Sequence, residues 1–545
     1  MSRLLYNPEL EHSSCGVGFI THKQTKQTHE LLKLADQALC KIPHRGGRSS
    51  EGIGDGAGVN IDISENFYRY LTGNPTLKYG EFGVANFFYP IDSSQNDQAE
   101  QIIKEVFAKY GLGILLWRDV EVNEQAVNEA SRKAQLPIKQ IVFDQPSSVK
   151  TAADFDNIIN TALLEIEEPA FTIPTLKGFY PLSMSRLTQV YKGRLVSGEV
   201  FPYFKDLTHP EHKIHSLFFH TRFSTNTAPN PIFAQPFRRM AHNGELNTDK
   251  KNRLSEDAIA KSKGKNIVFP EGQSDSSRLD QTLARRVTED KMDIVEAIVA
   301  MMPPAWENDP NYRGQVRDML AYYSLYEEKN DGPAALIFFD GQKIGARLDR
   351  LGLRPLRSIE THDYVAVMSE AGQIDFPPEV VLSRGRIEAG GMIVFDHGLG
   401  KVLNSQEILE NLATKKDYSS LFKNAIIHLE ELPKEEITAY KIPELLNMSS
   451  RHVAYSMNQE SFKFFLDPML SDSKEKVSAM GFGVAPNGLE PHEGGMSRYF
   501  SQRFAQVTNP PLDSIREADG MTLQVALGKK PNFSDGTTKQ LILDT

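Results

Sequence analysis

Residues 15–64 read CGVGFITHKQTKQTHELLKLADQALCKIPHRGGRSSEGIGDGAGVNIDIS, and the patterning of this stretch decides the fold class. CGVGFI (15–20) is short, apolar and broken by glycine, as a buried strand is. Leu31, Leu32, Ala35, Leu39 and Ile42 then recur at helical spacing. A glycine-rich loop follows and leads into Val59, Ile61 and Ile63, which alternate with polar residues as a half-buried strand does. GIGDGAGV reads as the GxGxxA variant of a dinucleotide loop from Gly52, but such a loop opens a helix and this one, with Gly52, Gly54, Gly56 and Gly58, opens a strand. The glycines are therefore read as positions of positive φ or close backbone approach.

Further strand-like runs extend outward from this opening: GVANFFYP (83–90), GILLWRDVEV (113–122), KQIVFD (139–144), HSLFFHTRFS (215–224), ALIFFDG (335–341), YVAVMSE (364–370) and GMIVFDH (391–397). Helical spacing of apolar residues appears in 97–111, in 154–168 and, less strongly, in 277–290. Strands dominate the first four hundred residues with helices between them, which predicts packed sheets with helical outer layers. Beyond about residue 400 the sequence is charged and helix-rich, and a boundary is expected near residue 430. No repeat of 20–50 residues supports a solenoid or propeller.

At roughly 150 residues per domain, 545 residues set an initial expectation of about three to four units. The chain is 40% hydrophobic and 24% charged, and its mean hydropathy of −0.39 and lack of a long apolar run argue against a membrane-embedded protein. A net charge of −10 and a pI near 5.8 oppose nucleic-acid binding by bulk charge. The first residues carry no secretory or transit signature, so a cytoplasmic location is expected. Two cysteines are too few for a disulfide scaffold or an iron–sulfur cluster. Cys40, near the apolar stripe of the first helix, is read as core packing.

Cys15 is different. If the short polar leader is removed, its free α-amine, with an ordinary pKa of about 7.7–8.0, suits it to take the thiol proton. Arg222 offers a planar fork for an α-carboxylate, and Asn243 with Gly244 offers a side-chain amide and a backbone N–H for an oxyanion. Asp275, opposite such an arginine, would bind an ammonium. Each also has an ordinary reading: Arg222 as a structural ion pair, Asn243–Gly244 as a turn, Asp275 as a helix cap. His44 and His220 lack the clustered spacing of a metal site and are read as structural hydrogen-bonding groups.

Taken together, CGVGFI, HRGGRSS, GDGAG, HTRFSTNT, AQPFRRMAHNGELNT, SDSSRLD, MMPPAW, GPAALIFFDG, ARLDRLGLRPLR and MSEAG occur in the order found in one family. The chain resembles the large subunit of glutamate synthase, specifically its N-terminal class II glutamine amidotransferase domain. SSRHVAYSMNQESFKFFLDPM and YFSQRFAQVTNPPLDSIRE resemble the beginning of the central domain that follows it, although AMGFGVAPNGLEPHEGGMS departs from the acidic turn usual there.

The resemblance implies an α+β fold, the four-layer αββα sandwich of N-terminal-nucleophile hydrolases, followed by a partial α/β central domain. It implies residues 1–14 as a leader, 15–430 as the amidotransferase domain and 431–545 as the start of the central domain. In its terms Cys15 is the nucleophile, and Asn243 and Gly244 form the oxyanion hole. Arg222 and Asp275 hold glutamine with Thr225 nearby, and Arg45 supports Cys15. L-glutamine is the implied substrate. FMN, an iron–sulfur cluster and 2-oxoglutarate are implied only for a synthase portion outside this sequence, so no cofactor or metal is expected in this chain. A second possibility is a non-catalytic, unprocessed glutamine-binding or docking module of a glutamate synthase-like complex.

Overall fold

The structure, a computed structural model, describes residues 16–90, 96–221, 229–244, 250–428, 431, 448–455, 457–474, 525–528 and 540–543. Cys15, Arg222 and Thr225 lie outside the described residues, as do the leader and residues 479–517. The described residues fall into two compact units, 16–425 and 426–543.

The first unit begins with β1 (Gly16–His22), α1 (Glu30–Cys40), β2 (Ala57–Asp62) and α2 (Glu65–Thr72). Next come β3 (Phe82–Phe88), α3 (Asn96–Tyr110), β4 (Gly113–Asp119), α4 (Glu129–Lys133), β5 (Ile138–Asp144), α5 (Ala152–Thr172) and β6 (Tyr180–Ser185). The chain continues through β7 (Thr188–Gly193), α6 (Val200–Tyr203), α7 (Lys205–Thr208), β8 (Ser216–Thr221) and β9 (Met240–Gly244). Four helices follow: α8 (Lys250–Ser262), α9 (Asp275–Thr288), α10 (Ile294–Met301) and α11 (Gly314–Tyr326). Seven strands, β10 (Ala334–Phe339), β11 (Lys343–Leu348), β12 (Arg357–Thr361), β13 (Tyr364–Met368), β14 (Val381–Arg386), β15 (Met392–Asp396) and β16 (Lys401–Asn404), precede α12 (Ser405–Ala413) and α13 (Tyr418–Ala425).

Two antiparallel sheets form the centre, a seven-stranded one ordered β14-β12-β13-β1-β8-β2-β7 and a five-stranded one ordered β16-β15-β11-β10-β9. Strand alternation assigns the layers. Val17 and Phe19 of β1 and Phe218 of β8 meet Ala335, Ile337 and Phe339 of β10 between the sheets. Ile20, Leu217 and Phe219 face the other way, onto Leu31, Leu32, Ala35 and Leu39 of α1. Ala334, Leu336 and Phe338, the alternate set on β10, pack under Leu283, Ile298, Met319 and Leu412 of the helices α9–α12. Helix, sheet, sheet, helix is the result, and the sandwich inferred from resemblance is the observed architecture. Truncating a residue such as Phe19 to Ala would cost about 3–5 kcal/mol.

Between β2 and β7 the chain builds a third sheet that the linear pattern did not foretell. Its order is β4-β5-β3-β6 with every neighbour antiparallel, so β3-α3-β4-β5-α5-β6 is a split βαβ arrangement. Ala85, Phe87, Ile141 and Phe143 bury one face under α3 and α5, while Phe82, Val84 and Val142 pack on Phe67 and Tyr68 of α2. Thr151 starts α5 with a capping box: its Oγ1 accepts from Asp154 N at 3.2 Å, and Asp154 Oδ2 accepts from Thr151 N at 2.9 Å.

Two expectations need correction. β2 is not half-buried: every residue of it is inside, because Asn60 and Asp62, on its polar side, bond to neighbouring backbone rather than water. Cys40 is exposed rather than packed, since it falls at the end of α1 and turns its thiol toward Asp36, 3.7 Å away. In the glycine loop, Gly52 (φ 80°) and Gly56 (φ 155°) use the left-handed region and the chain enters β2 directly.

In the second unit, β17 (Ile426–His428) pairs parallel with β19 (Gln540–Leu543), which pairs antiparallel with β18 (Val525–Leu527). Among the described residues no helix is long and apolar enough to cross a membrane.

Candidate active site

β1 and β8 start and finish at the same end of the sandwich. Gly16 is paired with Thr221, so Cys15 and Arg222 are each one peptide bond from a matched pair. Side chains from β8 and from the turn after α1 close on Gly16. A Cβ there would lie 2.5 Å from Ile42 Cδ1, 2.9 Å from Thr221 Cγ2 and 3.4 Å from Arg45 Cβ, so only glycine fits and Arg45 stands against the residue after Cys15. Val17 N donates to Ser369 Oγ at 3.2 Å and Ser369 N to Val17 O at 2.9 Å, tying β1 to the end of β13.

Arg45 belongs to a short 3₁₀ turn, Pro43–Arg45, and its Nε donates to Glu370 Oε1. His44 Nε2 lies 3.0 Å from Glu370 Oε2, so one carboxylate orients both residues of the HRGG motif. Burial pushes the Glu370 carboxyl up, but its bonds to Arg45 and His44 outweigh this and hold it below the usual range. Glu370 and Ser369 belong to the MSEAG segment, in which the sequence alone gave no residue a role.

β9 ends at this same end, because His242 carbonyl accepts from His220 Nε2 at 3.2 Å across the two sheets. Asn243 and Gly244 are its last residues, paired with Ala335 and Ala334 of β10. The bland reading of HNG as only a turn is thus replaced by a strand terminus. Gly244 has φ 110°, and a Cβ on it would be 1.8 Å from Pro333 O, so the backbone here is open only to glycine. Burial pushes the His242 ring down to about 4 and His220 down to about 3, so both are neutral at pH 7.

His242 also reaches α9. Its Nε2 is bonded to Ser276 Oγ in the first turn of α9. Asp275 stands beside it but does not cap the helix: Ser274 is the cap, accepting from Ser277 N at 3.2 Å. Asp275 Oδ1 instead accepts from Arg253 Nη2 of α8, and Oδ2 accepts nothing among the described residues. Asn243, Gly244, Asp275 and Arg45 are therefore gathered at the end of the sandwich marked by the Gly16–Thr221 pair.

Four buried polar atoms at this end have no hydrogen-bond partner among the described residues: His220 Nδ1, Thr221 Oγ1, His242 Nδ1 and Asn243 Oδ1. Below them Lys192 of β7, fully buried, donates to the carbonyls of Ile232 at 2.8 Å and Ala234 at 2.7 Å. Asn60 Nδ2 donates to the carbonyl of Arg238 at 2.8 Å. These bonds fix the chain that leads from residues 222–228 into β9, and burial pushes the Lys192 amine down to about 7. Lys192, Ser276 and Glu370 carried no signal in the sequence, because their partners are distant along the chain. Among the described residues no group of three or more His, Cys, Asp or Glu is placed to hold a metal.

Residues 15–421 match the family model of the class-II glutamine amidotransferases. The chain belongs to this family. Residues 450–545 match the model of the glutamate synthase central domain. The NADH glutamate synthase of Saccharomyces cerevisiae is 31% identical over 569 residues, which cover 99% of this chain and 26% of that protein. The NADPH glutamate synthase large chain of Bacillus subtilis is 31% identical over 528 residues, 94% of this chain and 34% of that one. The ferredoxin-dependent glutamate synthase 2 of a Synechocystis species is 33% identical over 541 residues, 96% and 34% respectively. This amidotransferase thus spans from 26% to 34% of the length of these three relatives. Among solved structures, the glutamine phosphoribosylpyrophosphate amidotransferase of B. subtilis matches with a TM-score of 0.30 and 14% identity, covering 72% of this chain and 48% of that one.

Proposed function

We propose that this amidotransferase hydrolyses L-glutamine through a thioester on Cys15 and passes the ammonia to a glutamate synthase portion outside this sequence. The observation that carries the reading is the junction of Gly16 with Thr221 beside buried polar atoms, ending at Asn243, that have no partner among the described residues. With residues 1–14 removed, the Cys15 α-amine accepts the thiol proton and the sulfur bonds to the side-chain amide carbon of glutamine. The carbonyl electron pair moves to oxygen, where Asn243 Nδ2 and Gly244 N–H take the charge. The Cys15 ammonium returns its proton to the departing nitrogen, the C–N bond breaks, and ammonia leaves. Water then adds to the thioester carbon, gives its proton to the amine, and expels the thiolate as glutamate is released.

In this scheme Arg222 holds the substrate carboxylate with Thr225 beside it. Asp275 Oδ2 takes the ammonium, and Arg45, fixed by Glu370, supports Cys15. The proposal extends to a cytoplasmic enzyme with amidotransferase residues 15–430 and the start of a central domain over 431–545. Its partner portion would carry FMN and an iron–sulfur cluster and would take 2-oxoglutarate. The test is release of glutamate and ammonia from glutamine by the processed chain. Cys15→Ala is expected to lower it at least about a thousandfold. Unchanged activity would end the assignment. Mass spectrometry should place the mature terminus at Cys15, and full activity with Met1 intact would overturn the amine as base.

A further inference from the structure

A cavity of about 630 Å³ opens where the split βαβ unit meets the sandwich. Its size is that of a small-molecule site, and junctions between structural units are where such sites form. Phe171 at the end of α5 and Tyr180 of β6 stack at 5.6 Å on one wall, and Ile232 and Phe233 form the other. None of Gly16, Asn243, Gly244 or Asp275 lines it, so it is separate from the site described above.

One charge lining this space has no counterpart among the described residues. Arg194 is held by its backbone: its N–H donates to Gln135 Oε1 at 2.9 Å, and its carbonyl accepts from Gln135 Nε2 at 2.9 Å. Its guanidinium makes no ion pair among the described residues, and its Nε is buried without a hydrogen-bond partner there. The other cation lining the space, Lys177, is already matched by Glu271 at 3.4 Å, and both are exposed, at the rim. An arginine fork among aromatic and aliphatic walls selects a carboxylate carried on an apolar body. A zwitterion such as glutamine would leave its ammonium unpaired.

We propose that this cavity binds a small organic carboxylate with an apolar body, its carboxylate on Arg194 and its body between Phe171, Tyr180 and Ile232. The position gives the ligand a regulatory consequence. Pro229–Phe233 continues directly from residues 222–228, and Pro270 and Glu271 lead into Ser274 and Asp275. An occupant braces both stretches and so lowers KM for glutamine with little change in kcat. This consequence rests on the roles proposed for Arg222 and Asp275, whereas the binding itself does not.

The probe is 3-phenylpropanoate, with its neutral amide as control, titrated calorimetrically into the full chain. The carboxylate should bind at least about tenfold more tightly than the amide, and Arg194→Met should remove that preference while leaving the melting temperature near wild type. Ile232→Trp, which fills the cavity and keeps Arg194, should weaken both probes. Equal binding of acid and amide, undiminished binding to Arg194→Met, or no binding at all would overturn the proposal. Failure of Cys15→Ala to affect hydrolysis, with Arg194-dependent binding intact, would remove only the regulatory link.

Discussion

The central strands β1 and β8 have two ends, and the protein treats the polar groups at them in opposite ways. At the far end Ser216 Oγ is bonded to Thr21 Oγ1 at 2.7 Å, His397 Nε2 at 2.8 Å and His215 Nδ1 at 2.9 Å. Asp62 Oδ1 accepts from the backbone N–H groups of His215 and Ser216, each at 2.8 Å, and its Oδ2 accepts from Gln27 at 2.7 Å. Among the described residues His215 Nε2, 3.4 Å from Asp62 Oδ2, and Thr28 Oγ1, beside Ile214, lack a bond there. At the Gly16 end four buried atoms on neighbouring residues have no partner among the described residues. A buried polar group left unpaired costs about 1–3 kcal/mol, so a cluster of them is retained where a ligand completes the bonds. The far end fits a structural role, and the Gly16 end fits the glutamine site proposed above.

The largest expected effect tests the second half of that contrast. Asn243→Ala removes the amide assigned to the oxyanion and should lower kcat for glutamine hydrolysis about 100–1000-fold. Because Asn243 Oδ1 is unpartnered among the described residues, the melting temperature should not fall. Steady-state kinetics paired with a thermal melt checks both. A large loss of stability with kcat nearly intact would mean that Asn243 belongs to the structural class of the far end.

The next effect tests the first half. Asp62→Ala takes away the acceptor for three buried or part-buried donors and should destabilise the chain by about 3 kcal/mol. The rate of glutamine hydrolysis at saturation should stay within about twofold, since no bond of Asp62 reaches the Gly16 end. Urea midpoints and kcat measured on one preparation settle it. A drop in kcat matching that of Asn243→Ala would show the two ends to be coupled.

How much of this was legible in the sequence follows from how local each feature is. β1 and α1 declare themselves in CGVGFI and in the spacing of Leu31, Leu32, Ala35 and Leu39. The split βαβ unit was present as separate strand and helix runs, but the order β4-β5-β3-β6 is a matter of pairing across long separations and leaves no local period. α9 was faint because its buried face carries Arg278, Asp280, Arg285 and Arg286. Arg286 is matched by Glu256 and Glu327, so charge stands where apolar periodicity would. Asn243 and Gly244 were visible as a dipeptide whose strand character comes only from pairing with β10. Glu370 is 325 residues from Arg45, and no spacing announces that they touch.

The smallest effect is a slope. At the far end burial pushes His397 down to about 4, against 6.5 in the unfolded chain, with Asp396 opposing and His22 reinforcing the shift. The unfolded state therefore binds the extra proton first as pH falls. The stability that a neutral His397 contributes is fully present above pH 6.5 and is lost progressively as pH falls toward 4. Asp62, pushed up to about 7 by burial, acts with the opposite sign over a similar range, so the wild-type slope alone does not isolate the histidine. The comparison with His397→Gln does: the wild type should lose about 1 kcal/mol more than the variant between about pH 7 and about pH 5.5. Urea unfolding at the two pH values measures it. Equal losses would mean that His397 is already free to protonate in the folded chain, and that the far end is less closed than its hydrogen bonds to Thr25 and Ser216 require.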